Sequence, residues 1–593
     1  MQTAIPGPGE VTALGADRRA AALGSAERAA ALAALGGQEH QVLVIGGGVT
    51  GAGVALDAAT RGLSVGLVEA RDFASGTSSQ SSKLIHGGLR YLEQFDFGLV
   101  REALTERALL LQRIAPHLIR PVSFLFPLTH RGWERAYLGS GIRLYDMLGF
   151  SLGQVRGLPG HKQLTRRAAL ELAPGLKRST VHGAIRYWDA QVDDARFVIN
   201  LLRTAASYGA RVASRTRVTG FLREGERVTG VRAVDVETGA ELEIRAQQVV
   251  NATGVWTDDI QAMVGGRGII NVRPSKGVHL VVPRDRIHSG SGIILRTPLS
   301  VLFVIPWGRH WIIGTTDTDW TLDKAHPAAS ATDVDYLLAQ VNRILQIPLT
   351  RQDVEGTYAG LRPLLYGESE ETSKLSREHT VAHPVPGLVM IAGGKYTTYR
   401  LMARDAVDAV AHALDGRVAP SCTHQVPLVG AEGFPALWNS RYHLARASGL
   451  HVARIEHLLQ RYGTLIGEVL SLIEADPRLG EPLTGADDYL RAEIVYGASH
   501  EGARHLYDVL ARRTHISIET WDQGLSVAAE AADLMAGQLG WDWRQTTREV
   551  EHYQAKIAAE RAAQEAGDDT VADALLLGGP HIVPLAGAGA DGW

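Results

Sequence analysis

Gly46-Gly47-Gly48-Val49-Thr50-Gly51 follows a short apolar run at residues 41–45 and opens a small-residue helix that continues to about Arg61. In that setting the glycine spacing has a defined use. Gly46 permits a tight turn, Gly48 lets backbone approach a pyrophosphate, and Gly51 lets the helix pack on the strand. The helix start adds unsatisfied N–H donors and the positive end of its dipole. Glu69 ends a second strand, residues 63–69, where a carboxylate can take a pair of ribose hydroxyls. A similar glycine pattern at residues 587–592 has no helix behind it and predicts nothing.

Two later turns extend the nucleotide pattern. Gln248-Val249-Val250-Asn251-Ala252-Thr253-Gly254 reads as a strand ending in Ala-Thr-Gly, typical of flavoproteins of the two-dinucleotide type. Gly393-Gly394-Lys395 follows a strand at 388–392 and precedes a helix from about Thr398, a setting that suits the isoalloxazine end of FAD. A conventional NAD domain completes its sheet within about 150 residues. Segments this far apart point instead to FAD, and no second nucleotide motif in proper context implies NAD(P).

The scaffold around these turns is mixed. Residues 278–282 alternate as a strand, placing His279 and Val281 on one face and Val278, Leu280 and Val282 on the other. Residues 301–305 and 310–314, split by Pro306-Trp307-Gly308-Arg309, read as an antiparallel hairpin. Helical periodicity covers 97–115 and 133–150, and nearly everything after Leu401, with Pro/Gly breaks near 416–435 and 476–486. The expected class is α/β: a Rossmann-type FAD-binding domain with an inserted antiparallel-sheet substrate domain and a C-terminal α-helical domain. The expected boundaries are 1–40 for a leader with one short helix, 41–410 for the discontinuous FAD domain, and 411–593 for the helical domain. Within 41–410, the pieces 41–90, 185–272 and 350–410 bind the nucleotide, and 91–184 and 273–349 are the insertions.

Composition narrows the alternatives. At 593 residues the chain exceeds a single core. Sixty basic against 64 acidic side chains give −4, which argues against a nucleic-acid binder held by phosphate neutralisation. Cys422 is the only cysteine, which excludes an internal disulfide and any thiolate-rich metal or iron–sulfur site, so no metal is expected. Reducing surroundings follow, hence the cytoplasm. Apolar runs fall far short of the roughly 18 residues of a spanning helix. Only eight lysines accompany 52 arginines, so a lysine in a Gly-rich setting draws notice.

After Glu69 come Asp72-Phe73-Ala74-Ser75-Gly76-Thr77-Ser78-Ser79 and Ser82-Lys83-Leu84-Ile85-His86-Gly87-Gly88-Leu89-Arg90-Tyr91-Leu92. With Lys276-Gly277-Val278-His279, Ile313-Gly314-Thr315-Thr316-Asp317, Leu361-Arg362-Pro363-Leu364 and Gly393-Gly394-Lys395-Tyr396-Thr397-Thr398, the chain resembles the FAD-dependent, quinone-linked glycerol-3-phosphate dehydrogenase family over roughly 40–400. The resemblance implies oxidation of sn-glycerol 3-phosphate to dihydroxyacetone phosphate. It implies a substrate site of Arg90, Tyr91, His279, Arg362, Arg377 and Lys395. It also sets Thr77, Ser78, Ser82, Lys83, His86, Thr253, Gly254, Gly393, Gly394 and Thr397 beside Gly46, Gly48, Gly51 and Glu69 as cofactor-binding positions.

That chemistry asks for such residues. Removing a hydride from C2 needs a grip on the phosphate, an acceptor for the hydroxyl proton and an aimed C2–H. Arg90, Arg377 and Lys395 suit the phosphate, with Tyr91 adding a hydroxyl. His279 suits the proton, and Arg362 nearby would disfavour imidazolium and stabilise developing alkoxide. Residues 133–150 interleave Trp133, Tyr137 and Phe150 with Arg131, Arg135 and Arg143. They read equally as an ordinary core helix or as an interfacial helix holding the enzyme on the cytoplasmic face of a membrane. An oxidase passing the same electrons to O2 fits the same motifs. An amino-acid-type oxidase would share the glycine turn but has no use for the cationic set. A homodimer is compatible and unspecified.

Overall fold

The computed structural model describes residues 21–88, 96–129, 141–142, 158–265, 270–297, 301–365 and 379–579. Among them, two large sheets and a helical layer account for the architecture.

The first sheet is the nucleotide-binding one. Strand His40–Ile45 lies between Val65–Val68 and Glu241–Asn251, parallel to both, and Leu388–Gly393 extends the parallel array beyond Glu241–Asn251. Arg211–Ala213 closes the other side, parallel to Val65–Val68. Strands of this kind are buried on both faces and read as unbroken apolar runs: Val42, Leu43 and Val44 are fully buried. Helix Val49–Thr60 packs against one face with Asp194–Ser207 and Tyr399–His412, and the small side chains Ala52, Ala55, Ala58 and Ala59 allow that close approach. The Ala-rich leader helix, Ser25–Gly37, is part of the opposite layer: Leu35 is buried against Leu43, and Arg28 pairs with Asp235 at 2.6 Å.

The second sheet is largely antiparallel. Val272–Pro283 is flanked by His310–Gly314 and by Gly356–Leu365, and Val301–Trp307 and Gly292–Arg296 continue it to Ile119–Leu128 and Gly183–Val192. The expected hairpin is present, with a two-residue turn at Gly308-Arg309 between Trp307 and His310. The alternation in Val272–Pro283 is present too: Val278, Leu280 and Val282 enter one apolar cluster, whereas Val281 enters another. Gly183–Val192, Leu84–Ile85 and Gly356–Leu365 also belong here. The sheet therefore draws strands from stretches (41–90, 185–272 and 350–410) expected to serve the nucleotide. Strand pairing over such separations leaves no local signal.

Beyond residue 411 the described chain is helical apart from a small hairpin, Pro482–Leu483 with Ala486–Leu490, at one of the expected breaks. Helix Phe97–Leu109 runs into one π-helical turn, Leu110–Ile114. Among the described residues no helix is long and apolar enough to cross a membrane, and no group of His, Cys, Asp or Glu is placed to hold a metal. Of the amphipathic stretch 133–150, only Gly141 and Ile142 lie within the described residues.

Candidate active site

The parallel strands deliver three turns to one cleft of about 320 Å³. Its lining includes Gly46 and Gly48, Thr253 and Gly254, and Gly393, Gly394 and Lys395. The glycine turn is sterically obligatory. Gly46 has φ +111°, and a Cβ on Gly51 would lie 1.9 Å from the Gly46 carbonyl oxygen. Gly393 and Gly394 both take left-handed backbone, φ +77° and +78°. The cleft continues along Thr216, Arg217 and Val218 at one side and reaches Arg362 and Pro363 at another, an elongated shape shared between both sheets.

Glu69 lines the cleft and is tied into the glycine turn. One carboxylate oxygen accepts the Gly47 N–H at 2.7 Å and the other the Arg71 N–H at 2.8 Å. Burial raises its pKa, and those two N–H groups oppose the shift. Ser78 accepts the Val49 N–H at 2.9 Å, satisfying a helix-start donor. Thr77 donates to the Leu361 carbonyl at 2.5 Å and Thr253 to Asn251 at 2.6 Å. His86 lines the cleft and accepts Thr397 at its carbonyl oxygen, 3.3 Å. A long cleft, a cradle that side chains would fill and a helix start aimed at it fit FAD. Gly46, Gly48, Glu69, Ser78, Thr253, Gly393 and Gly394 line the cleft where they would hold it.

Arg362 and His279 share one face of the second sheet. Arg362 is in register with Ser275, Gly360 with Gly277, and Tyr358 with His279. A Cβ at Gly277 would sit 2.6 Å from the Arg362 guanidinium, so a side chain there would push the arginine from its place. That guanidinium donates to Thr315 Oγ1 (3.1 Å) and the Thr316 carbonyl (3.3 Å) and pairs with Asp317 at 3.4 Å. The Gly-Thr-Thr-Asp turn thus fixes the arginine, a link that sequence spacing did not reveal.

His279 is only 2% exposed and is not in the cleft wall, whereas Arg362 is. The imidazole stacks on Tyr358 (4.7 Å, 12°), and its Nε2 meets Ser82 Oγ at 2.8 Å. Nδ1 has no hydrogen-bond partner among the described residues. Burial, then the charges of Arg362 and Lys83, hold its pKa well below the usual imidazole value. His279 is therefore neutral at physiological pH.

Lys83 stands apart from the cofactor cleft. It is buried, takes left-handed backbone (φ +55°), and pairs with Asp194 at 2.6 Å while donating to the Ser79 carbonyl. Asp194 also accepts Ser81 N–H and O–H, and so pins the whole 79–83 turn beneath His279. Gly51, Ser82 and Thr397 support the cleft without lining it. Arg90, Tyr91 and Arg377 lie outside the described residues. Sequence reasoning missed Arg71, Trp256, Tyr358 and Asp194. Arg71 and Trp256 face the cleft, and all four come from a turn, a strand or the start or end of a helix, with no diagnostic spacing.

Residues 41–400 match the family model described as FAD dependent oxidoreductase, and 421–546 the one described as C-terminal domain of alpha-glycerophosphate oxidase. Glycerol-3-phosphate dehydrogenase 2 of Mycobacterium tuberculosis is 58% identical over 547 residues, 92% of this chain and 93% of its own. The mitochondrial glycerol-3-phosphate dehydrogenase of Homo sapiens is 37% identical over 527 residues, 85% of this chain and 71% of the relative. The X-ray structure of the glycerol-3-phosphate dehydrogenase from Bacillus halodurans, complexed with FAD, shares the fold with a TM-score of 0.75. Its identity is 29%, over 90% of this chain and 98% of that one. With that likeness over nearly the whole length, and with a glycine cradle facing a fixed arginine, the chain belongs to the FAD-dependent oxidoreductases, and among them to the glycerol-3-phosphate dehydrogenases.

Proposed function

We propose that the enzyme oxidises sn-glycerol 3-phosphate at C2 to dihydroxyacetone phosphate and passes the electrons to membrane quinone from a peripheral position on the cytoplasmic face. FAD, when bound, supplies the hydride acceptor at N5. The chain's own residues do the rest. Neutral His279, its Nε2 hydrogen given to Ser82, offers Nδ1 to the C2 hydroxyl proton. Arg362, held by Thr315 and Asp317, steadies negative charge growing on the C2 oxygen. Lys395, with Arg90, Arg377 and Tyr91, grips the phosphate. The observation that carries this reading is Arg362, the one predicted catalytic residue in the cofactor cleft's wall, set on the same sheet face as His279.

A second reading keeps the substrate and changes the acceptor to O2, with peroxide released. The match of 421–546 to a domain named for an oxidase favours it. Anaerobic mixing with glycerol 3-phosphate should bleach the flavin, while glycerol and NADH should not. Flavin that stays yellow under excess ester sinks the substrate assignment. Stoichiometric peroxide from the pure enzyme in air sinks quinone as the acceptor.

A further inference from the structure

A second cavity of about 210 Å³ adjoins the cofactor cleft at the Ser75–Thr77 turn and opens at the seam with the C-terminal helices. Arg71 and Trp256 line both cavities; Ser79, Gln80, Lys324, Lys556 and Glu560 line only this one. Its charges are unevenly matched. Asp72 is committed to Arg512 and Arg513 (2.5 and 2.7 Å), Asp508 to Arg215 and Arg512 (2.9 and 2.5 Å), and Lys324 pairs with Asp259 at 2.6 Å. Arg71 lies over the Trp256 ring at 5.3 Å, and its guanidinium has no ion pair or hydrogen bond among the described residues. Asp323 and Glu69 act on it only through space. Lys556 reaches Glu560 only at 3.5 Å, and that carboxylate also accepts Tyr507 at 3.1 Å. Ser79, 6% exposed, lines the same cavity, and its hydroxyl has no hydrogen-bond partner among the described residues.

We propose that this interdomain cavity binds a small oxyanion of the phosphate or phosphate-ester class, held by Arg71 from the catalytic part, Lys556 from the C-terminal helix Trp543–Glu565, and the Ser79 hydroxyl. Half-buried cations that repel one another, beside an unused buried donor, are the complement of a multivalent anion. Burial lowers the pKa of both Arg71 and Lys556, the charge of Arg512 lowers both further, and Arg71 itself adds to the lowering at Lys556. An anion there would bridge the two parts of the molecule. It would also brace the turn whose other residues, Thr77 and Ser78, line the cofactor cleft.

With only eight lysines, competitive acetylation of the FAD-loaded enzyme resolves each amine by mass spectrometry. An anion beside Lys556 raises its pKa, and each unit lowers the reactive free-amine fraction about tenfold. Inorganic phosphate should therefore protect Lys556 saturably, against chloride at equal ionic strength. Lys395 reports separately on the substrate site. Ser79→Ala keeps the reporter and removes a hydroxyl that serves nothing else, and it should raise the phosphate concentration for half-protection by roughly tenfold, the worth of a hydrogen bond to a charged group. Equal Lys556 labelling in phosphate and chloride, or half-protection that Ser79→Ala leaves unmoved, overturns the site.

Discussion

The cofactor cradle and the seam between the catalytic part and the C-terminal helices are built by opposite means. In the cradle, backbone does the work: Gly46 and Gly51 make room, and Glu69 and Ser78 answer backbone N–H groups. At the seam, buried side-chain charges do it. Arg196 meets Glu501 at 2.5 Å with both 1% exposed, and lies over the Tyr462 ring at 4.4 Å. Asp72 takes Arg512 and Arg513, some 440 residues away. A cradle of backbone fails by collision; a seam of charges fails by leaving a partner stranded.

The sharpest break is Gly51→Ala. Its Cβ would stand 1.9 Å from the Gly46 carbonyl, a distance real Cβ atoms do not tolerate, so strand and helix must part. The expected outcome is protein with almost no bound flavin, read from the 450 nm to 280 nm absorbance ratio. Retention of a full equivalent of FAD would show that the turn yields more easily than its packing implies.

Arg362→Ala and His279→Ala test the face opposite the cradle. Each should lower kcat about 10²–10⁴-fold, the usual range for a lost acid–base or charge-stabilising group, while the protein stays yellow. His279 adds a distinction because it is buried against Tyr358. If His279→Ala also releases flavin or unfolds the protein while Arg362→Ala does not, the imidazole's part is packing. Near-normal turnover in either variant removes that residue from the chemistry.

Glu501→Gln strikes the seam. It leaves Arg196 buried without its countercharge, and breaking such a pair typically costs about 3–5 kcal/mol. Chemical denaturation should show a midpoint shift with the flavin still bound in the folded fraction. No shift would mean that the Arg513 carbonyl, 2.7 Å from Arg196, suffices alone.

This contrast explains what was legible beforehand. Strand, glycine turn, helix and terminal acid are contiguous, so their order in the chain is their order in space, and the cofactor follows. The face of His279 was legible for the same reason, because alternation is local. The strands Gly183–Val192 and Gly356–Leu365 joined the second sheet across gaps of many residues, so the boundaries drawn at 185 and 350 divided one sheet between two domains. Asp194 beneath Lys83 and Thr315 beneath Arg362 were invisible, since a side chain's partner depends on register and packing. Lys83, a cofactor-binding position by resemblance, is in the fold the anchor of the turn that carries Ser82 to His279.

The smallest expected effect concerns His505, which bridges Glu237 of the catalytic part (3.0 Å) and Glu549 of the C-terminal helix (2.8 Å). Burial and Arg215 oppose its protonation, but the two carboxylates outweigh them and push its pKa up to about 9. Because the folded value lies above the unfolded one near 6.5, the imidazolium contributes fully below about pH 6.5. That contribution, up to about 3 kcal/mol, is lost as pH climbs towards 9. Stability should therefore decline between pH 6.5 and 9, and Glu549→Gln should flatten the decline by lowering the His505 pKa. In the cradle, by contrast, the carboxylate Glu69 is held by the backbone N–H groups of Gly47 and Arg71, donors that do not titrate. Flavin retention should thus stay level across the window in which the seam weakens. Parallel loss of flavin and stability would mean that the seam's charges also hold the cradle shut.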